Sequence, residues 1–411
     1  MIRLLTLGII SVLCAVLSAA HPVQADEGHL SIDDAVKAAL DASPLVQELE
    51  ASFSIKTADS FEARTLPNPE LEVDLGVPVS WEEKRGKNEV GVALSQPFRL
   101  SHGPLRNRLA SLITAAGEGE KEKDLLGLIA RVRLAFARSW VLSERSRILQ
   151  EILPQARSLN KLVRSGLKEG AYGQGDDAIF RSETSKTEAE LKGISAESIA
   201  ALAELNRLTG SLFQGKQLLT PKPLSALSIE SLKARLERSE TKVQYRAKIL
   251  FELAKADSAV ARRDAFPELR PRLLYSRTDE AVDIVGVGIS FDLPFYSQNT
   301  AERIRTEAKA RSSQAQFNFT QSDVFKTSLL NAAKAYSLRG EELLLYEKNV
   351  LPALREALTA FEQQIRKGEG SIFQLWQTLR EYIDTHERYL ELWTRVFSEG
   401  AELSILLEEE I

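Results

Sequence analysis

Val90-Gly91-Val92-Ala93-Leu94-Ser95-Gln96-Pro97-Phe98 and Val287-Gly288-Ile289-Ser290-Phe291-Asp292-Leu293-Pro294-Phe295 are two versions of one pattern. Each alternates apolar with small or polar residues, ends in Pro-Phe and leads into a long helical stretch. The offset of 197, from 90 to 287, is close to half of the 411 residues and marks a duplication. In the second copy Val285, Val287, Ile289, Phe291, Leu293 and Phe295 share one face, while Gly286, Gly288, Ser290 and Asp292 share the other. One face seeks apolar surroundings and the other tolerates water. A soluble sheet has this character, and so does a strand of a membrane barrel whose outer face meets lipid.

The N-terminus bears on that choice. Arg3, the apolar run Leu4–Leu17 and small residues ending at Ala25 read as a secretory signal peptide, too short and too early for a spanning helix. Cys14 follows Leu13, where lipid attachment needs a small residue, so cleavage near Ala25 without a lipid anchor is expected. The single cysteine and single methionine, Cys14 and Met1, leave with that peptide, and thiol chemistry leaves with them. No later run reaches the roughly 18 apolar residues of a membrane helix. A formal net charge of −5, with Lys and Arg scattered on helical faces, gives no basic stripe for nucleic acid.

Further landmarks repeat at an offset of 197 or 198. Leu30-Ser31-Ile32-Asp33 returns as Leu227-Ser228-Ile229-Glu230, Pro69-Glu70-Leu71 as Pro267-Glu268-Leu269, and Leu153-Pro154 as Leu351-Pro352. The chain therefore divides into a leader (1–25), a first repeat (26–210), a connector (211–226) and a second repeat (227–411). Each repeat reads as a helical start, a strand pair and a long helical hairpin. The strand pairs are expected at 70–79 with 88–98 and at 268–278 with 283–295. Strands of about ten residues, once tilted, cover an outer membrane's apolar thickness, but four cannot close a barrel when the smallest spanning ones have about eight. An open edge in lipid leaves backbone groups unpaired. If these strands span, several chains share one barrel.

Apolar residues at spacings of three and four run from Leu105 to Leu167, from Ile304 to Ile365, and from Ile372 through Trp376, Leu379, Ile383, Leu390, Trp393 and Phe397. A helix of roughly 60 residues is about 90 Å long, a length suited to a coiled coil or a helical tube. The hairpins are expected at 103–209, with its tip at 166–177, and at 298–408, with its tip at 368–371; these tips hold the strong breaks. Pro154 and Pro352 lie ahead of the tips, where each kinks its helix or divides it in two.

With these features the chain resembles the TolC-type outer-membrane efflux protein family, and in pattern its shorter heavy-metal, CzcC-like members. The carriers are Leu66-Pro67-Asn68-Pro69-Glu70-Leu71, Ser95-Gln96-Pro97-Phe98, Val287 to Phe295, the tips Gly166-Leu167 and Gly368-Glu369-Gly370, and Leu205-Asn206-Arg207-Leu208-Thr209-Gly210. No one motif is specific; their order and duplication carry the likeness over the whole mature chain. The resemblance implies an α+β membrane protein: a homotrimer in which each chain gives four transmembrane strands to a twelve-stranded barrel in outer-membrane lipid. Long periplasmic hairpins form an α-barrel, and shorter helices near Ser31–Arg64 and Ser228–Ala265, with the C-terminus, belt its middle. It also implies a periplasmic adaptor (membrane fusion) protein docked on the tips and an inner-membrane pump of the resistance-nodulation-division type. The protein is then a passive exit duct, with drug efflux or type I secretion as alternatives to heavy-metal cations. A periplasmic coiled-coil structural protein with a soluble sheet is the alternative of another class.

Gly166, Leu167, Gly170, Gly368 and Ile372 match the family's adaptor-contacting positions, although glycines there also simply turn the chain. The family's acidic constriction falls on Gln374 and Gln377, neutral in this chain. Asp176 and Asp177 offer a negative ring instead, or cap a helix. Glu70, Glu72 and Asp74 line the expected lumen, where they attract cations or merely suit a water-filled face. Trp81 reads as an interfacial anchor, and Trp140, Trp376 and Trp393 as helix packing. His29, His102 and His386 are far apart, with no spaced carboxylates beside them, so no metal site and no cofactor is expected. There is no P-loop, dinucleotide fingerprint or nucleophile motif, and the sequence reads as a non-enzyme.

Overall fold

The structure is a computed structural model that describes residues 28–76, 89–99, 101–213, 215–222, 228–238, 240–278, 282–291, 298–367 and 369–410. The leader, Trp81, Leu293–Phe295 and Gly368 lie outside the described residues. In chain order the elements are β1 (His29–Leu30), α1 (Ile32–Ala42), α2 (Pro44–Arg64), β2 (Glu70–Gly76), β3 (Glu89–Ser95), α3 (Pro104–Lys168), α4 (Gln174–Thr209), β4 (Gln217–Leu218), α5 (Ile229–Arg238), α6 (Lys242–Arg263), β5 (Leu269–Thr278), β6 (Asp283–Phe291), α7 (Thr300–Gln321), α8 (Asp323–Leu345), α9 (Leu351–Arg366) and α10 (Ile372–Leu407). A π-helical turn, Tyr346–Val350, joins α8 to α9.

Period-two patterning makes β2, β3, β5 and β6 strands, and their register puts the large apolar side chains, Leu274 and Ile284 excepted, on one face. The order is β2-β3-β5-β6, antiparallel throughout. Val73, Val92, Tyr275 and Val285 form one cross-strand row, and Leu71, Leu94, Leu273 and Val287 the next. Nothing among the described residues covers this face: Leu75 is 74% and Val287 86% exposed. Among the described residues the outer edges of β2 and β6 pair with no strand.

The helical part is built on α3, whose 65 residues make it about 98 Å long. Its half beyond the sheet packs on α4 and α10 and its sheet-proximal half on α2 and α6. Phe136, Trp140, Ile152, Leu159 and Val163 of α3 enter one apolar cluster with Leu205, Trp393 and Phe397. Trp140 and Trp393 meet edge to face, their ring centroids 5.3 Å apart. No helix among the described residues is long and apolar enough to cross a membrane.

Two expectations change here. First, of the shorter helices expected in the belt, α2 and α6 lie along α3 and α7 and lead directly into β2 and β5, while α1 packs on α3 and α4, α5 packs on α8, and β1 pairs with β4. The Ser60 hydroxyl donates to Ala110 O at 3.0 Å, fixing α2 on α3. Second, the stretch from Ile304 to Ile365 is not one helix. Ser322 leaves helical geometry and its hydroxyl caps Phe325 N, a start signal inside the apolar period. Before Pro352, Leu351 N donates to Tyr346 O, so the turn widens to absorb the proline's missing donor. Pro154 instead sits within unbroken α3, where the carbonyl it frees belongs to exposed Gln150.

Capping fixes the waist. Ser31 and Asp34 exchange capping bonds at the start of α1, and the Ser31 hydroxyl holds the Asp34 carboxyl below the usual carboxylate range. The terminal carboxylates Glu408, Glu409 and Glu410 pair with Arg246 of α6, Arg235 of α5 and Arg133 of α3. Gly210 ends α4 at φ 66°, and a Cβ there would stand 2.4 Å from Ala42 O at the end of α1. Gly215 has φ 83° with open space around it. Gly210→Ala is therefore expected to cost about 3 kcal/mol and Gly215→Ala about 1 kcal/mol, the difference being the close approach. Helical circular dichroism followed through a thermal melt measures both; equal losses would remove the packing role of Gly210.

Candidate functional site

The wall formed by the sheet has a polar face opposite the apolar one. Glu70, Glu72 and Asp74 of β2 project there with Glu89, Gly91, Ala93 and Ser95 of β3, Arg272, Leu274 and Ser276 of β5, and Gly286, Gly288 and Ser290 of β6. Arg272 reaches across β3, its guanidinium 2.9 Å from Glu72 and 3.5 Å from Asp74. The three expected acids do share a face, but two of them meet a cation in the same chain. Sequence reading missed Arg272 because Pro271 beside it disguises the strand's alternation; Pro271 pairs with Ile289 without giving a ladder bond to that partner.

At the foot of the sheet the two halves are locked together. Arg106 of α3 donates to Asp264 at the end of α6 (2.7 Å), to Ser101 (2.8 Å) and to Ala63 O (3.4 Å). Ser101 also donates to Asp264. Arg99 and Arg270 hold Glu268 at 2.9 and 3.0 Å, and Phe98 and Leu269 exchange backbone bonds. The pattern Arg-x-Arg at the start of a helix was the available signal. Its partner is 158 residues away, beyond any local motif.

The tips are set by backbone needs. Gly170 has φ 78°, its N–H donates to Leu167 O, and Ala171 N donates to Gly166 O at 2.8 Å, which is the Schellman closure of α3. Gly166 is buried, and the Tyr172 ring occupies the space where a Cβ would stand, 2.4 Å away. Leu167 is half-buried. The Asp176 carboxylate accepts from Gly173 N at 2.8 Å at the start of α4, and Asp177 lies 3.8 Å from Arg181. Asp176 is thus engaged as a helix-start acceptor, favoured by the helix dipole. Gln374 and Gln377 are exposed on α10, and Ile372 is half-buried against the main core. Phe180 of α4 packs on Phe373 and Trp376, with ring centroids 5.6 and 5.3 Å away, bringing the two tips side by side.

The histidines stay apart. His386 lies against Tyr382 with their rings tilted and centroids 4.1 Å apart, its Nδ1 is 2.9 Å from Tyr382 O, and burial lowers its pKa, as befits a packed ring. No group of three His, Cys, Asp or Glu suited to a metal is found among the described residues.

The fold is shared with outer-membrane channels of known structure. Superposed on the outer-membrane channel OprN, the chain gives a TM-score of 0.71 at 17% identity, covering 92% of this chain and 89% of that one. With the outer membrane protein VceC from Vibrio cholerae the values are 0.71, 15%, 92% and 96%. With CusC, solved for the conformational changes of folding and transmembrane channel formation, they are 0.68, 14%, 92% and 91%. No protein-family model and no curated protein matches the sequence.

Gly166→Ala forces the Tyr172 ring out of place. Amide exchange over 163–176 should then quicken, and adding Tyr172→Ala should slow it again; no change from the first substitution would show that the tip accommodates a methyl group freely.

Proposed function

We propose that the chain is one subunit of a homotrimeric outer-membrane exit duct, conducting substrates passively from periplasm to exterior within a tripartite efflux system. The observation that supports this most is the uncovered sheet joined to α3. Ten residues of β5 extend about 34 Å, and a tilt near 40° reduces that to about 26 Å, matching an apolar band of about 25 Å. The edge strands β2 and β6 run in opposite directions, so a further copy continues the antiparallel alternation and the wall can close. The helices extend the wall into the periplasm, and the tips at Gly166–Gly170 and around Ile372 meet a periplasmic adaptor that links the duct to an inner-membrane pump. The repeat boundaries near 210 and 227 fit two similar staves per subunit.

For cargo we favour heavy-metal cations exported by a resistance-nodulation-division pump, on the acidic balance of the polar face. The pairing of Arg272 with Glu72 and Asp74 favours a second reading, in which the cargo is a drug or a secreted polypeptide and the lumen is only weakly cation-selective.

Outer-membrane fractions tested by electrophoresis without boiling should contain a heat-resistant oligomer; release as a soluble monomer would leave the periplasmic coiled-coil alternative. Deleting the gene separates the cargo readings, since lost tolerance to divalent metals supports the first and lost tolerance to drugs the second. In planar bilayers Arg272→Ala should raise the cation-to-anion permeability ratio severalfold at low salt, with the gain shrinking near 1 M as charges are screened. An unchanged ratio would place Arg272 outside the conducting path.

A further inference from the structure

The duplication is closer in the helices that lead into the sheet than in the strands. At an offset of 198, Phe53, Ala58, Asp59, Ser60, Ala63 and Arg64 of α2 match Phe251, Ala256, Asp257, Ser258, Ala261 and Arg262 of α6. At an offset of 197, Arg106 and Arg108 of α3 match Arg303 and Arg305 of α7. The junction between the halves, where α3 packs on α6, therefore has an outward counterpart: the free side of α7 and the free side of α2.

In the inner junction Leu109 and Ala110 of α3 are buried in one cluster with Ala256 and Val260 of α6, and Arg106 closes it on Asp264. On α2 and just past its end the positions equivalent to Ala256, Val260 and Asp264 are Ala58, Glu62 and Leu66, and all three are exposed. On α7 the equivalent of Arg106 is Arg303, a half-buried residue whose Nε is shut off from solvent and has no hydrogen-bond partner among the described residues. Such a buried donor is costly unless a partner arrives. Leu66 cannot supply it, because the acid of the inner junction is missing there. Glu62 can: it stands one turn earlier, its carboxylate is exposed, and it makes no ion pair among the described residues.

We propose that Arg303 is the outward counterpart of Arg106 and closes the seam between neighbouring copies at the foot of the sheet by pairing with Glu62 of a second copy. The inference rests on the assembly proposed above and adds the residues that fix its register. The guanidinium, desolvated between α7 and the neighbouring α2, holds the seam against sliding where strands β6 and β2 meet. One pair per seam repeats at every seam of the closed ring.

The test uses the full-length protein in outer-membrane fractions, with heat-resistant oligomer as the readout. Arg303→Glu and Glu62→Arg should each shorten the lifetime of the oligomer on heating by roughly tenfold, and the two together should restore it. Arg106→Glu, which breaks the inner junction, should not be rescued by Glu62→Arg. Single reversals without effect, or a double variant no longer-lived than the worse single one, would overturn the pairing while leaving the assembly intact. A wild-type protein that runs as a monomer would overturn the assembly, and the seam with it.

Discussion

An antiparallel sheet of four strands has two edges, and each edge is a row of backbone N–H and C=O groups without partners. In water those groups are hydrated; in hydrocarbon each costs several kcal/mol. Here the same sheet also leaves the large apolar side chains of one face uncovered by any of the described residues. Both costs vanish together only if lipid covers the face and further strands cover the edges. The rest of the molecule is arranged around that requirement, with helices that begin beside the sheet and continue its wall in the same order.

The wall has the same construction at each level. In the sheet the ends are β2 and β6; beside it they are α2 and α7; farther along, α4 flanks α3 while α8 and α9 flank α10. A first-half element stands at one end and a second-half element at the other, each with exposed apolar residues such as Ile55 and Ile199 on one side and Ile304 and Leu338 on the other. In the proposed assembly the junctions inside the chain, β3 with β5 and α3 with α6 and α10, are templates for those between chains. Duplication lets one packing solution serve twice, and the residues that differ between the two copies mark where the inner and outer seams differ.

Legibility in the sequence followed the range of the interaction. Strand alternation, helix length and hairpin turns depend on neighbours within a turn or two, so Val90–Phe98, Val285–Phe291 and Gly166–Gly170 could be read directly. Ser322 was locally readable as well, but the apolar period of three and four concealed it as a helix start. Arg272 with Glu72 and Arg106 with Asp264 are set by tertiary register, which no local pattern encodes. Asp-Asp at a helix start suits a gate or a cap alike, and the Asp176 contact with Gly173 N is decided by the geometry of α4's first turn.

The two hairpins also differ in stiffness of design. The continuous helix α3 lies in the interior of the wall, held by α2, α4, α6 and α10, and carries Pro154 without interruption. Its counterpart is divided at Ser322 and again at the π turn before Pro352, and it lies at the end of the wall. A helix flanked on both sides within one chain is straightened by its own core. In the proposed assembly this one completes its packing against another chain and has to follow that chain's surface, and breaks at two levels let its segments set their crossing angles separately. Proline alone does not produce the joint, since Pro154 produces none; position in the wall decides whether the break is kept.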